Sequence, residues 1–165
     1  MPQAEPSPSA LWRLARPDDD ADVTRLALSL DAEDPFTPRL TSARVAHTLA
    51  ALRAEPTRGR AVVLEDEGRI AGYALLISFW SNELGGEVCT IDELYVVPAL
   101  RGRGFGRALI EEAAAGGSVW PQRPVALELE VSPQNVRARA LYERIGFSVR
   151  RNTYLRWIPT RPGPA

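Results

Sequence analysis

The sequence lacks lysine altogether and has only one cysteine and one histidine. All 20 of its basic residues are arginine, and the net charge is −1 at pH 7. Cys89 has no partner for an intramolecular disulfide, which suits a reducing compartment, and a lone His47 makes neither a metal site nor a triad. A balanced charge excludes a global basic field for nucleic acid. We therefore predict a cytoplasmic protein that uses no metal and binds no nucleic acid.

Long hydrophobic runs and a secretory leader are also missing. No stretch approaches the roughly 20 apolar residues of a membrane span, and residues 1–10 contain neither a basic segment nor an apolar run. These absences predict no membrane association. A chain of 165 residues is long enough for one domain with a real core. We expect that domain over residues 11–158, between a disordered tail at 1–10 and a flexible tail at 159–165.

Apolar periodicity and turn residues predict the order βααβββαβαβ. No internal repeat is present. The predicted elements are a strand at 11–15, a helix after Asp18–Asp20, a helix capped by Thr41 or Ser42, strands at 60–65, 69–79 and 87–97, a helix after Gly106, a strand at 125–131, a helix at 135–145 and a strand at 147–158. A hairpin turn is predicted across residues 66–68.

The glycine-rich segment Arg101–Gly106 lies between an apolar strand and a helical run. Helix N-termini carry unpaired N–H groups, and glycine lets a backbone approach a ligand closely, so this junction predicts a diphosphate site. It is not a nucleotide phosphate loop, which requires lysine. Nor is it the dinucleotide fingerprint, because Arg107 stands where that pattern requires glycine. The strand and helix flanks disfavour an Arg-Gly linker that binds RNA loosely.

Two motifs carry a family resemblance. Arg101-x-x-Gly104-x-Gly106 resembles the Arg/Gln-x-x-Gly-x-Gly/Ala turn of the GNAT acetyltransferases, which holds the diphosphate of coenzyme A. About 30 residues downstream, a second segment is similar to the family pattern Asn-x-x-Ala-x-x-Leu-Tyr-x-x-x-Gly-Phe. Together the motifs cover residues 91–147. The second motif consists of Asn135, Ala138, Leu141, Tyr142, Gly146 and Phe147.

The resemblance implies an α/β fold with a mixed central sheet, splayed between its fourth and fifth strands and flanked by helices. Acetyl-CoA then lies in the splay. Its pantetheine arm pairs with the backbone of Leu94, Tyr95 and Val96 and contacts Asn135, while Tyr142 points to the sulfur. The implied diphosphate ligands are Arg101, Gly102, Arg103, Gly104, Phe105, Gly106 and Arg107.

Acetyl transfer to an amine also requires stabilisation of an oxyanion, protonation of the leaving thiolate and removal of a proton from the amine. A tetrahedral oxyanion forms when the amine attacks the thioester, and the backbone N–H of Tyr95 or Val96 is placed to stabilise it. The leaving thiolate has a pKa near ~8.5, so a phenol can protonate it, and Tyr142 is the candidate acid. We expect direct attack in a ternary complex.

An amine substrate must also lose a proton, which calls for a base. Asp92 and Glu93 lie on the fourth strand, and adjacent strand residues face opposite ways. Only one of the two can then face the acetyl group; we favour Glu93. Glu128 and Glu130 are further candidates for the base, although we expect both to face solvent.

Acceptor specificity is expected from two loops, 31–38 and 79–83, which are both acidic and aromatic. Carboxylates beside aromatic rings suit a cationic amine, although a merely solvated acidic surface remains the alternative. The run Ile91–Val96 is also similar to one in diamine acetyltransferases, with its two acids swapped in order. The candidate acceptor-binding residues are Asp34, Phe36, Trp80 and Glu83.

Two functions of different classes remain open at this point. The first is an N-acetyltransferase acting on a primary amine of a small molecule or a protein. The second is a non-catalytic acyl-CoA-binding sensor on the same fold, which would need the diphosphate site but not the acid Tyr142. The sequence allows either a monomer or a homodimer.

Overall fold

The computed structural model describes residues 10–35 and 38–149. By its internal contacts the chain divides into two units, the first ending at Ser132 and the second beginning at Pro133. The predicted tails lie outside the described residues, except for residue 10, as do Phe36 and most of the predicted last strand. A single domain over residues 11–158 therefore stays a prediction.

The first unit contains one five-stranded sheet with the strand order β1-β2-β3-β4-β5. Its first four strands pair antiparallel, and β5 pairs parallel with β4. This confirms the predicted mixed sheet and the predicted element order up to the fifth strand. The elements are β1 Leu11–Leu14, α1 Asp20–Glu33, α2 Ser42–Ala54, β2 Gly59–Asp66, β3 Arg69–Ser81, β4 Gly86–Val96, α3 Phe105–Ala115 and β5 Ala126–Leu129, with 3-10 turns at Pro17–Asp19 and Pro98–Leu100.

Local sequence signals account for the turns and helix starts. The β2–β3 hairpin turns through Glu67 and Gly68, whose φ angles of 51° and 75° are those of a two-residue type I′ turn. Thr41 caps α2, because its hydroxyl accepts a hydrogen bond from the Arg44 N–H at 3.3 Å. The predicted hairpin and the first of the two predicted caps are therefore confirmed.

The core extends over both faces of the sheet. On one face α1 and α2 pack on strand residues that include Tyr73, Leu75 and Tyr95. α3 packs against β4, and its first residue is tied to the distant β1, because the Trp12 indole N–H donates to the Phe105 carbonyl at 2.9 Å. The start of α3 is thus fixed by the core.

β4 changes its partners at a β-bulge. Leu75 of β3 pairs with Glu93, but the next residue, Leu76, pairs with Ile91, so Asp92 is an extra residue in β4. The parallel pairing with β5 also ends at Ile91, opposite Leu129. β4 nevertheless runs on to Val96. Within the described first unit β4 therefore continues beyond the bulge without pairing to β5, which agrees with the splay that the resemblance implied.

The second unit contains α4, Val136–Arg144. The Asn135 side chain caps it by accepting from the Ala138 N–H at 3.1 Å, and Gly146 follows its end with φ 98°. Phe147 meets Tyr142 edge to face, with ring centroids 5.7 Å apart. Residues 147–149, the described part of the predicted last strand, are not in a strand.

No helix of the described ranges combines the length and the apolar character that crossing a membrane requires.

Candidate active site

The turn between β4 and α3 forms an open backbone cradle. Gly102 and Gly104 have φ angles of 79° and 87°, which favour glycine, and Gly104 is the N-cap of α3. The Gly104 carbonyl accepts from the Ala108 N–H, so α3 is regular from its first turn. A Cβ built on Gly104 would meet no atom within 4 Å. The backbone at Gly104 is therefore open on its Cβ side, and a glycine turn at a helix N-terminus fits a diphosphate.

Two arginines stand beside the cradle with surface contacts. The Arg103 guanidinium lies over the Phe105 ring, 5.7 Å from its centroid. Arg107 forms an ion pair of 2.6 Å with Glu111 one helical turn later. Exposed pairs of this spacing are weak, so the charge of Arg107 can be redirected to an anion at little cost.

Arg101 behaves differently from the other two. Its Nε donates to the Val96 carbonyl at 2.7 Å, and its terminal nitrogen donates to Glu33 at 2.9 Å. The guanidinium also lies over the Tyr95 ring, 5.0 Å from its centroid. The predicted diphosphate ligand therefore lies against β4 and the end of α1, because three partners for its planar group are already there.

Glu33 receives a second hydrogen bond at the same oxygen. The Tyr95 hydroxyl donates to Oε1 at 2.9 Å. The hydrogen bond from Arg101, assisted by that from Tyr95, holds the pKa of Glu33 below its usual value. Glu33 is thus an ionised anchor between α1, β4 and the glycine turn.

The register of β4 determines which backbone groups reach its outer edge. The Val97 N–H donates to the Ala71 carbonyl on β3, and hydrogen-bonded pairs recur every second residue. The backbone of Tyr95 therefore faces β3, whereas Leu94 and Val96 present theirs to the opposite edge. Of the three predicted pantetheine partners, two have the required direction. For the same reason, of the two N–H groups considered for an oxyanion, only that of Val96 points outward.

Glu93 is a half-buried carboxylate on β4 that accepts a hydrogen bond from a phenol of the core. The hydroxyl of the fully buried Tyr73 donates to its Oε2 at 2.7 Å. Burial raises the pKa of Glu93, and Asp92 and Asp31 raise it further, while the Tyr73 hydrogen bond opposes them. The carboxylate is therefore both oriented and made more basic than an exposed glutamate.

Asp92 occupies the bulge itself. Because the register slips there, alternation along the strand no longer decides whether Asp92 and Glu93 face opposite ways, contrary to the sequence-based expectation. Asp92 is an exposed residue. Even so, desolvation of its carboxylate raises its pKa, and Glu130 adds to the effect.

The second unit holds the other predicted catalytic residue. Tyr142 lies in α4, where burial raises the pKa of its phenol, so the group keeps its proton at neutral pH. Asn135, predicted to contact pantetheine, uses its side-chain oxygen to cap the same helix. Its amide nitrogen is the part of this side chain suited to a further acceptor.

The acidic residues at the end of α1 are used within the fold. Asp31 pairs with Arg39 at 2.7 Å and accepts from the Leu40 N–H at 3.4 Å, which closes the α1–α2 loop. Glu33 pairs with Arg101. Both were counted among the charges that make this loop attractive to a cation, and each is instead neutralised by an arginine.

The other candidate acceptor-binding residues lie at the end of α1 and on the β3–β4 hairpin. Asp34 is exposed where α1 ends, and Glu83 lies in the turn between β3 and β4. Trp80 is 70% exposed and its neighbour Phe79 56% exposed. Phe36 lies outside the described residues. The structure thus shows an accessible aromatic pair on the β3–β4 hairpin.

Cys89 and His47 are the single cysteine and the single histidine of the sequence. Burial, with a contribution from Glu87, raises the pKa of Cys89 to about 12, so the thiol is not a nucleophile at neutral pH. His47 is exposed on α2. Across residues 10–35 and 38–149, no group of three or more His, Cys, Asp or Glu side chains could hold a metal ion.

Sequence reasoning missed Tyr73 and the role of Glu33. A tyrosine inside an otherwise apolar strand signals a polar partner, because a buried hydroxyl seeks a hydrogen bond. That signal was available, but the partner depends on the β3–β4 register. Glu33 gave no comparable signal, since Arg101 is 68 residues away along the chain.

Comparison with known proteins agrees with this geometry. The model of the Acetyltransferase (GNAT) family matches residues 26–147. A mycothiol acetyltransferase of Nocardia farcinica is 42% identical over 78 residues, which are 44% of this chain and 24% of that protein. A streptothricin acetyltransferase of Streptomyces lavendulae is 33% identical over 94 residues, covering 53% of this chain and 43% of that protein. The chain thus spans less than half the length of these curated relatives.

Solved structures show the same fold at low sequence identity. A possible acetyltransferase from Clostridium difficile 630 superposes with a TM-score of 0.75 at 21% identity, covering 92% of this chain and 99% of that one. A ribosomal-protein-alanine N-acetyltransferase from Brucella melitensis biovar Abortus 2308 gives 0.67 at 20% identity, covering 91% and 99%. These likenesses concern the fold, and the family match covers most of the chain. The chain belongs to the GNAT acetyltransferase family.

Proposed function

We propose that this protein is an acetyl-CoA-dependent N-acetyltransferase in which an amine attacks directly within a ternary complex. One observation carries the proposal: the diphosphate cradle comes directly after the outward-facing edge of β4, and the same strand carries the half-buried Glu93. Acetyl-CoA supplies an activated acetyl thioester. The outward backbone groups of Leu94 would hold its pantetheine arm, because the Val96 carbonyl already accepts from Arg101. The turn from Gly102 to Arg107 would hold its diphosphate.

Glu93 is the proposed base, acting on the ammonium form of the acceptor directly or through a water. Its raised pKa makes it a better proton acceptor, and Tyr73 holds one carboxylate oxygen so that the other is directed to a fixed place. Asp92 is proposed for a different role. Its negative charge beside the base favours a cationic acceptor.

Tyr142 and the Val96 N–H are proposed for the other half of the reaction. The Val96 N–H donates to the oxyanion as it forms. Tyr142 gives its proton to the departing thiolate, a role that requires a phenol still protonated at neutral pH. Asn135 is the proposed pantetheine contact in the same unit.

The acceptor is proposed to be a cationic primary amine. The supporting features are the carboxylates on β4, the exposed Asp34 and the aromatic hairpin residues Phe79 and Trp80. Relatives carry names that refer to different acceptors, mycothiol and streptothricin among them. Their names therefore support acetyl transfer and leave the choice between a small molecule and a protein to experiment.

Replacement of the base tests this function. We expect Glu93→Gln to lower kcat by about 10²-fold, within the range of general base catalysis, and to leave coenzyme A binding unchanged. Thiol release from acetyl-CoA with an amine panel is the measurement. Glu128→Gln is the matched control, because Glu128 is an exposed acid on the neighbouring β5, and it should keep full activity.

Two results would change the assignment. Full activity of Glu93→Gln at every pH would remove Glu93 from the mechanism. If the wild-type protein binds coenzyme A but no amine releases thiol, the non-catalytic sensor is the better description.

A further inference from the structure

The carboxylate of Glu33 lies where α1, β4 and the glycine turn meet. It accepts from the Arg101 guanidinium at 2.9 Å and from the Tyr95 hydroxyl at 2.9 Å. We propose that Glu33 is a positioning residue for the diphosphate turn: it holds Arg101 against β4 and so fixes where the turn begins. This inference rests on the proposed function.

The contacts of Arg101 argue against a direct role as a diphosphate ligand. Its Nε donates to the Val96 carbonyl, a terminal nitrogen donates to Glu33, and its flat face lies over the Tyr95 ring. To reach a ligand in the cradle it would have to give up a charge-assisted hydrogen bond and a cation–π contact together. The backbone N–H groups of the turn therefore bind the diphosphate, with Arg103 and Arg107 as the nearby cations.

The glycines after Arg101 make an anchor necessary at this place. Arg101 ends the 3-10 turn Pro98–Leu100, and the next residue is the first of two glycines with positive φ. Glycine segments lose more conformational freedom on ordering than other residues do. Arg101 is fixed before the segment, and Trp12 fixes Phe105 after it. Less conformational entropy is then lost from the segment when the ligand binds.

Electrostatics alone predicts the opposite effect of Glu33 on binding. Coenzyme A is a polyanion, and a carboxylate close to its diphosphate repels it. Neutralising Glu33 would therefore tighten binding if the residue were only a nearby charge, or if it merely competed for Arg101. It weakens binding if Glu33 positions the turn. The sign of the change separates the two roles.

The test is the affinity for coenzyme A, measured by titration calorimetry on the full chain. We expect Glu33→Gln to weaken binding about five- to tenfold, the lower range for a charge-assisted hydrogen bond at a partly exposed site. Glu111→Gln is the matched control. It removes the same charge from the ion pair of Arg107, beside the same cradle, and should leave affinity unchanged or slightly tighter.

Kinetics give a second readout that a general loss of stability would not produce. Glu33→Gln should raise the KM for acetyl-CoA while kcat and the acceptor KM stay at wild-type values. Asp31→Asn should not raise the KM for acetyl-CoA, because Asp31 holds the α1–α2 loop through Arg39 rather than the glycine turn.

A double-mutant cycle tests whether the two residues act as one unit. If Glu33 works through Arg101, the double variant Glu33→Gln with Arg101→Gln loses no more affinity than Arg101→Gln alone. If Glu33→Gln does not fold, Tyr95→Phe removes only the hydroxyl donor and should weaken binding in the same direction, by about twofold.

The outcomes are distinguishable. Equal or tighter binding by Glu33→Gln, or by Tyr95→Phe in its place, overturns the positioning role and leaves the acetyltransferase proposal standing. Failure of the wild-type protein to bind coenzyme A overturns both.

Discussion

Two neighbouring tyrosines on adjacent strands each donate a phenolic hydrogen bond to a glutamate. Tyr73 on β3 donates to Glu93, and Tyr95 on β4, its direct partner in the sheet, donates to Glu33. One carboxylate is the proposed base and the other is the proposed anchor of the diphosphate turn. A hydrogen bond from a buried hydroxyl helps to fix the position of the group that accepts it, so each phenol sets the geometry of one function.

Removing the Tyr73 hydroxyl should shift the pH dependence of catalysis. Glu93 acts as a base only when ionised, and the hydrogen bond from Tyr73 favours the ionised form against burial, Asp92 and Asp31. Tyr73→Phe therefore raises the pKa of Glu93. The acidic limb of the kcat/KM profile should move upward, with the alkaline plateau largely retained. An unmoved or downward-shifted limb in a folded variant would contradict this.

Tyr142→Phe should lower kcat by about 10²-fold and leave acetyl-CoA affinity nearly unchanged, because the phenol acts on the leaving thiolate and adds little to ground-state binding. Steady-state kinetics and a coenzyme A titration measure the two effects. A suitable control is Tyr142→Phe assayed with a thioester whose thiol is more acidic. That leaving group needs less protonation, so the loss should shrink; an equal loss would argue for packing.

At the scale of elements, the β4–α3 connection combines a strand edge, a turn and a helix start. The strand loses β5 beyond Ile91, the turn contains glycines with positive φ, and α3 begins at Phe105. A ligand with an extended arm and an anionic group can therefore bind along a continuous stretch of backbone. The side chains of Glu33, Arg101 and Trp12 hold this stretch of backbone in position.

A methyl group added to the cradle should weaken coenzyme A binding by blocking close approach of the ligand. The same change at a remote glycine introduces only backbone strain. Gly104→Ala places a Cβ where the backbone borders open space, at φ 87°, which costs about 1–2 kcal/mol. We expect coenzyme A affinity to fall by at least about tenfold. Gly68→Ala introduces a similar strain at φ 75° in the remote β2–β3 turn and should leave affinity unchanged. Titration of both variants, with their melting temperatures, separates the two effects.

The success of the sequence-based predictions depended on the range of the interactions involved. The β2–β3 turn at Gly68 and the cap at Thr41 depend on neighbouring residues, and both were predicted. The bulge at Asp92 was not, because it depends on a register between two strands. The Glu33–Arg101 pair joins residues 68 positions apart, and no local pattern indicates it. Features set by neighbouring residues could thus be predicted, whereas contacts that depend on strand register or on distant residues could not.

At the scale of the whole molecule, the net charge of −1 conceals an uneven use of acids. Asp31 and Glu33 are neutralised by arginines within the fold, whereas Asp92 and Glu93 have pKa values raised by burial. Ionisation of Asp92 and Glu93 therefore costs free energy in the folded state, because their charges are partly desolvated. A cationic acceptor would relieve that cost by supplying the missing positive charge.

The acceptor preference should therefore be electrostatic. Across polyamines, amino acids, aminoglycosides and N-terminal peptides, we expect cationic amines to give the highest kcat/KM, and the preference to weaken as salt rises. Asp34→Asn should raise the acceptor KM about two- to fivefold and leave acetyl-CoA binding unchanged. Asp22→Asn, at an acid near the start of α1 that pairs with Arg25, is the control. A preference for a carboxylate-bearing acceptor would exclude the cationic class.

The hydrogen bond between Trp12 and Phe105 also bears on the order of folding during synthesis. The indole N–H needs a carbonyl 93 residues further along the chain, and β1 needs β2 before it can pair at all. Contacts of such long range form late and slow a chain's folding. β1, which leaves the ribosome before the other described strands, is therefore among the last of them to reach its final position, and the helix start that it holds in place is completed with it.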